Sequence, residues 1–265
     1  MHVNLSNSRA IVTAGASGIG RAIAQQFMRS GALVAICDIS QSALDDFSGA
    51  YPDCVTFRAD VSDADQVDKF FDTVLGRFGG LDVLVNNAGV SGPTKPIEEI
   101  TPEEWSQTLD VNLKGAFLCS RRAAPLFKAQ KNGAIINLSS TAGRMGMPLR
   151  TPYSSSKYAI RGLSDTLAIE LGEFGVRVNT ILPGFVDGPR GERVVAEQAA
   201  ARNMSYEQYL PYFLHNISMH LAVTGDDVAA TATFLASDYA RSISGQSIGV
   251  CGNFESYRSP MVVSE

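Results

Sequence analysis

The chain has 265 residues and a mass of 28.3 kDa, with 45% hydrophobic and 18% charged residues, enough apolar material for a substantial core and too much for wholesale disorder. A net charge of −5 and a pI near 5.3 give no basic footprint for nucleic acid. No apolar run nears the roughly 18 residues of a membrane span, and the opening MHVNLSNSRA has neither the basic nor the apolar part of a secretory signal. Cys37, Cys54, Cys119 and Cys251 are far apart, with no CxxC and no histidine at ligand spacing. The expectation is a cytoplasmic protein with neither a disulfide scaffold nor a metal site.

In chain order, Arg9 to Ala14 reads as a buried strand, followed by a Gly-rich turn and an amphipathic helix from Gly18 to Ser30 that Gly31 stops. Ala32 to Cys37, Asp53 to Phe57, Leu81 to Val85 and Gly133 to Leu138 are further apolar runs, with helical patterns near Asp63 to Phe78 and Pro102 to Gln130. A helix from Pro152 to Phe174, a strand from Arg177 to Leu182, a helix from Asp226 to Ala236 and a strand from Gln246 to Val250 complete the pattern. Strands apolar on both faces that alternate with helices predict a doubly wound, Rossmann-type α/β fold with a parallel sheet covered on both sides. No repeat or Pro/Ser-rich linker divides the chain, so residues 1–265 read as one domain. Residues 188–224 break the rhythm as an insertion after a strand end.

The turn Thr13-Ala14-Gly15-Ala16-Ser17-Gly18-Ile19-Gly20 lies between a strand and a helix. Glycines there let backbone approach a phosphate, and the helix N-terminus supplies N–H donors; tight packing uses glycine in the same way. Asp38 closes the second strand eighteen positions beyond Gly20, near the offset of a carboxylate that binds an adenosine ribose. A turn-forming aspartate is the competing reading. Asp60-Val61 after the third strand and Asn86-Asn87-Ala88-Gly89 after the fourth occupy the same sheet edge, where ordinary turns would also place such residues.

Tyr153 and Lys157 are an i, i+4 pair on a helix, so the ammonium lies beside the phenol and favours its ionised form. Eight tyrosines and 22 basic residues in 265 give about 0.7 chance matches to that spacing, so the pair needs corroboration. Ser139 and Ser140 end the strand upstream, where a hydroxyl is suited either to a substrate oxygen or to capping the strand end.

Together, TAGASGIG, Asp38, Asp60-Val61, NNAG, Asn112 in LDVNLKG, Ser140, Tyr153, Lys157 and Pro183-Gly184 resemble the classical short-chain dehydrogenase/reductase family, over Thr13 to Gly252. The resemblance implies Tyr153 as general acid/base, Ser140 binding the reacting oxygen thirteen positions before it, and Lys157 supporting Tyr153 and the nicotinamide ribose. Asn112 would hold a water in the proton relay. Gly15, Ser17, Gly18, Ile19, Gly20, Asp38, Asp60, Val61, Asn87, Ala88, Gly89, Pro183, Gly184 and Val186 would join Tyr153 and Lys157 in binding the cofactor. It also implies a homotetramer in which the 102–130 and 152–174 helices pack between subunits. Three positions depart from the pattern. Ala14 replaces the first glycine, Gly188 replaces a hydroxyl residue that contacts the nicotinamide, leaving the Val186 backbone, and Cys251-Gly252 replaces Asp-Gly.

Asp38 would repel a 2′-phosphate, and neither Ala16 nor Ser17 supplies a cation for one, which selects NAD over NADP. Residues 188–224 are expected to form a substrate lid. In it Ser205 to Gln208 makes a capping box, Tyr206, Tyr209, Leu210, Phe213, Leu214 and Ile217 share an inner face, and Pro211 kinks the helix. His215 and His220 read as solvated or capped. Arg144, Arg150, Arg190 and Arg193 surround the expected pocket, either in salt bridges or as anion receptors. Arg144, four residues beyond Ser140, and Arg190 are taken to bind substrate with Ser140 and Tyr153. The expected reaction is NAD(H)-dependent interconversion of a secondary alcohol and a ketone, on a small polar or anionic hydroxy compound such as a hydroxy acid or sugar acid. A 3-oxoacyl thioester, a cyclic alcohol or hydroxysteroid, and a non-catalytic NAD sensor are the alternatives.

Overall fold

Apolar side chains alternate across the first strand, with Ile11 facing one core while Ala10 and Val12 face the other. A strand buried on both faces belongs inside a sheet with helices on both sides, and the computed structural model, which describes residues 3–200 and 202–254, has that arrangement. The strands are β1 (Arg9–Thr13), β2 (Leu33–Asp38), β3 (Val55–Arg58), β4 (Val83–Asn86), β5 (Gly133–Leu138), β6 (Val176–Pro183) and β7 (Ser247–Val250). They form one seven-stranded sheet in the order β3-β2-β1-β4-β5-β6-β7, with every pairing parallel. The order reverses between β1 and β4, which opens a crevice at their carboxyl ends.

On one face lie α1 (Gly18–Arg29), α2 (Gln41–Ala50) and α9 (Gly225–Ala236). Ile23, Phe27, Leu44 and Phe47 pack there against Val12, Ile36, Val85 and Ile136. On the other face lie α3 (Ala64–Phe78), α4 (Pro102–Leu109), α5 (Gly115–Gln130) and α6 (Thr151–Gly172). Phe70, Phe71, Leu118 and Phe127 meet Ile11, Leu84 and Ile135 on that side. Each fully buried aromatic or branched side chain contributes about 1.5–3 kcal/mol. The helix expected over 102–130 is continuous but contains a π-helical turn, Asp110–Lys114, which carries Asn112. Such turns alter the helical register and are common where a side chain must be aimed.

The 188–224 insertion holds α7 (Pro189–Ala200) and α8 (Tyr206–His215). The Ser205 capping box forms with Gln208, and Pro211 lies within α8. The aromatic stripe packs on Phe185 of the body, with Phe213 edge-on to Phe185 at 5.1 Å. Among the described residues no helix is long and apolar enough to cross a membrane. All four cysteines are buried and unbridged, and burial pushes the Cys37 and Cys54 thiols up to about 12.

Candidate active site

The Gly-rich turn is braced from across the switch point. The Thr13 hydroxyl accepts from the Asn87 and Ala88 N–H groups, both at 3.0 Å. The Asn87 side-chain amide donates to the Thr13 and Ala14 carbonyls at 2.9 and 3.1 Å, so that side chain holds the turn. A Cβ at Gly20 would collide with the Ala14 carbonyl, and Gly18, with φ of 52°, adopts a left-handed conformation with open space around it. Ser17 makes no side-chain cap to α1 and no acidic residue occupies the first turn, leaving N–H donors for an anion. These features fit a dinucleotide diphosphate. Ala14, at the family's first glycine, has φ of 49°. Its left-handed penalty of roughly 1–2 kcal/mol exceeds the entropy that glycine adds to the unfolded chain. Ala14→Gly should therefore stabilise the protein by about 1 kcal/mol. Denaturant unfolding showing a loss of stability would contradict this.

Asp38 is 8% exposed at the end of β2. Its carboxylate accepts from Ala16 N–H at 3.3 Å and Ser40 N–H at 3.1 Å, which fixes it beside the turn. Arg58, which the sequence reading passed over, is exposed and donates from Nε to the Ile39 carbonyl at 3.2 Å. Asp60 closes its own loop by accepting from the Ser62 N–H and hydroxyl at 2.9 and 2.7 Å, and buried Val61 packs against Gly115.

Tyr153 and Lys157 lie on the first turns of α6, with the Lys157 ammonium 5.8 Å from the Tyr153 ring centre. Lys157 is 4% exposed and donates to the Leu138 carbonyl at 2.8 Å. Burial first, and then the Arg190 charge, pull its pKa from 10.5 down to about 7. The unfolded chain keeps this proton up to about 10.5, while the folded protein releases it above about 7. The contribution of Lys157 to stability therefore rises with pH across that window. The Lys157 Cε NMR signal, assigned by comparison with Lys157→Met, should titrate near 7 in the free protein; a midpoint near 10.5 would contradict this.

Ser139 and Ser140 divide the tasks that the sequence left open between them. The buried Ser139 hydroxyl donates to the Lys157 carbonyl at 2.7 Å, tying α6 to the end of β5. The Ser140 hydroxyl accepts only from Ala142 N–H at 3.2 Å among the described residues, which leaves its proton for a ligand. Asn112 donates to the Val90 carbonyl at 3.0 Å and the Ser156 hydroxyl at 2.9 Å, and accepts from Val90 N–H at 2.7 Å. It joins the NNAG loop to α6, and Gly89 adjoins both Asn112 and Lys157. Gly184 follows β6 and donates to the Val250 carbonyl at 2.9 Å, while Val186 bridges to Val223.

The four arginines take different positions. Arg144 lies just beyond Ser140. Its Nη2 donates at 2.8 Å to the carbonyl of Ser247, the first residue of β7, at the far end of that strand from Val250. A 3₁₀ turn at Thr141–Gly143 separates Arg144 from Ser140. Arg193 lies 4.0 Å from Glu197 on α7. Arg190 crosses from the lid to the Gly89 carbonyl at 3.0 Å. Arg150, 5% exposed, stacks on the Tyr153 ring with its guanidinium carbon 4.8 Å from the ring centre.

A buried lysine beside a half-buried tyrosine, with a serine hydroxyl at the carboxyl edge of a doubly wound sheet and a Gly-rich turn nearby, fits a nicotinamide-dependent oxidoreductase. Comparison with known proteins agrees. A family model described as enoyl-(acyl carrier protein) reductase matches residues 13–254. The chain is 35% identical over 248 residues to the 3-oxoacyl-(acyl-carrier-protein) reductase FabG of Staphylococcus aureus, covering 92% of this chain and 96% of that one. Among solved structures, NAD+-bound xylitol dehydrogenase matches at 26% identity and a TM-score of 0.89, covering 93% of this chain and 98% of that one. An actinorhodin polyketide ketoreductase with NADPH matches at 27% and 0.91, covering 94% and 98%. The chain belongs to the short-chain dehydrogenase/reductase family, oxidoreductases that act on carbonyl and alcohol groups with a nicotinamide cofactor.

Proposed function

We propose that the protein is an NAD(H)-dependent dehydrogenase that interconverts a secondary alcohol and a ketone on a small polar or anionic hydroxy compound. The observation that carries this reading is the Tyr153–Lys157 pair, with Lys157 anchored on Leu138 and the Ser140 hydroxyl proton uncommitted. The residues that would hold the cofactor are the Gly15–Gly20 turn for the diphosphate, Asp38 for the adenosine ribose, and Asn87–Gly89, Lys157 and Pro183–Val186 for the nicotinamide end. When bound, the nicotinamide takes or gives the hydride. Tyr153 removes the alcohol proton in oxidation and returns it in reduction, while Ser140 donates to the reacting oxygen. Lys157, when protonated, favours the Tyr153 phenolate. Asn112 keeps the NNAG loop and α6 in register, which orients the route by which the Tyr153 proton reaches water.

An NAD+-reduction screen over secondary alcohols, run with protein shown to bind NADH, tests the reading. Binding without turnover on any alcohol or ketone would leave the sensor alternative standing. The FabG relatives favour a second reading, reduction of a 3-oxoacyl thioester. Faster NADH or NADPH oxidation with 3-oxoacyl thioesters than with any small ketone would replace the first reading by that one.

We further read residues 1–265 as one catalytic unit that works as a cytoplasmic homotetramer. Phe117 on α5 and Tyr158 and Ile169 on α6 are 47%, 44% and 83% exposed, which leaves apolar surface for a neighbouring copy. Light scattering should give four times the 28.3 kDa chain mass. A monomer at micromolar concentration would contradict this.

A further inference from the structure

Among the described residues, Arg150 is a buried cation without a carboxylate bound to it. Among the described residues its one hydrogen bond is from Nη2 to the Ser91 carbonyl, at 3.0 Å. Its Nε is buried with no acceptor. An ionised group so placed carries a penalty of several kcal/mol, and stacking on an aromatic ring returns only about 2. Among the described residues, Tyr153 and Glu197 act on Arg150 favourably through charge, and Glu197 is engaged elsewhere: it accepts from the Thr94 hydroxyl at 3.0 Å and lies 4.0 Å from Arg193. Arg190 adds a like charge. The backbone leading into Arg150 is also constrained, because Leu149 has φ of 65°, a strained conformation for leucine that its surroundings must enforce. The fold thus fixes a desolvated, under-bonded guanidinium against the ring of the acid/base tyrosine.

We propose that Arg150 is the receptor for a carboxylate on the substrate, and that the substrates are short hydroxy and oxo acids. The inference rests on the dehydrogenase reading above. A guanidinium fork matches a carboxylate in shape and charge, and Arg150 still has donors that the protein leaves without acceptors. Because the guanidinium carbon lies 4.8 Å from the Tyr153 ring centre, an anion held there is placed beside that ring. That geometry favours a carboxylate close to the carbinol carbon over one at the end of a long chain. Arg190, on the lid and bound to the Gly89 carbonyl, would add a second positive charge.

The test compares hydroxy acids of three to six carbons with their methyl esters as substrates for the wild-type protein, Arg150→Met and Arg150→Lys. The wild type should prefer the acids. Arg150→Met should lower kcat/KM for the acids on the order of 100-fold and for the esters at least tenfold less, with Arg150→Lys in between. Malonate, which has no hydroxyl to oxidise, should bind the wild-type NADH complex, read by NADH fluorescence, and bind Arg150→Met far more weakly. Circular dichroism checks that each variant is folded. Preference for esters in the wild type, equal losses on acids and esters in Arg150→Met, or undiminished malonate binding in that variant would overturn the proposal. If no alcohol or ester turns over although NADH binds, the dehydrogenase reading has failed, and the malonate titration still decides for or against Arg150 as an anion receptor.

Discussion

Replacing Tyr153 by phenylalanine is expected to leave NADH affinity within a few-fold of wild type and to lower kcat/KM by about 10²–10⁴-fold. The substitution removes one hydroxyl and keeps the ring. Arg150 and Lys157, at 4.8 and 5.8 Å from the ring centre, therefore keep their apolar neighbour, and the Ser156 hydroxyl keeps its bond to the Tyr153 main-chain carbonyl at 2.7 Å. What is lost is the hydroxyl that we propose moves the proton. Fluorescence titration of NADH, followed by steady-state rates on a substrate that the wild type converts, separates the two effects. Turnover equal to wild type would end the mechanism, and loss of NADH binding would show a structural role in place of a chemical one. Lys157→Met should behave differently. That side chain also holds the end of β5 through Leu138, so cofactor affinity and rate should fall together.

The doubly wound sheet was legible because its strands are apolar on both faces and alternate with helices, a pattern few other architectures accommodate. Details that depend on local hydrogen bonding were not. α2 is short and escaped notice, although Ser40 caps it and Leu44 and Phe47 give it a buried face. The π-turn inside the 102–130 helix leaves no mark on hydrophobic spacing, yet it aims Asn112 at Val90 and Ser156. The Tyr153–Lys157 pair was readable because helical spacing fixes direction as well as distance. Arg144 shows the opposite case. Four residues from Ser140 in a loop says nothing about where the side chain points, and the 3₁₀ turn carries it to β7. Arg150, the residue before α6 begins, lies three positions ahead of Tyr153, near enough for its guanidinium to stack on that ring. Ser139 could not be told from Ser140 by chemistry alone. Both lie beyond the end of β5, and only the fold shows which of them meets the Lys157 carbonyl.

Wild-type protein is expected to bind NADH on the order of 100-fold more tightly than NADPH. The cause is the Asp38 carboxylate, held at the end of β2 by the Ala16 and Ser40 N–H groups, so it cannot swing aside from a 2′-phosphate without giving up both bonds. Two like charges about 4 Å apart at an interface of intermediate dielectric repel by roughly 4 kcal/mol, and screening brings this toward the factor expected. Asp38→Asn keeps the shape and one acceptor while removing the charge, and should bring the two affinities within about tenfold, mostly through tighter NADPH binding. Asp38→Ser goes further by making room, because Arg58 then stands beside the vacated position with its guanidinium on the Ile39 carbonyl. In that background NADPH should bind at least as well as NADH, and adding Arg58→Ala should take the gain away. Arg58 thus separates relief of repulsion, which Asp38→Asn alone measures, from new attraction, which only the Asp38→Ser pair measures. Isothermal titration of both cofactors against the four proteins supplies the comparison. Equal affinity for NADH and NADPH in the wild type would remove Asp38 from the selectivity argument and leave the 2′-phosphate to Arg58.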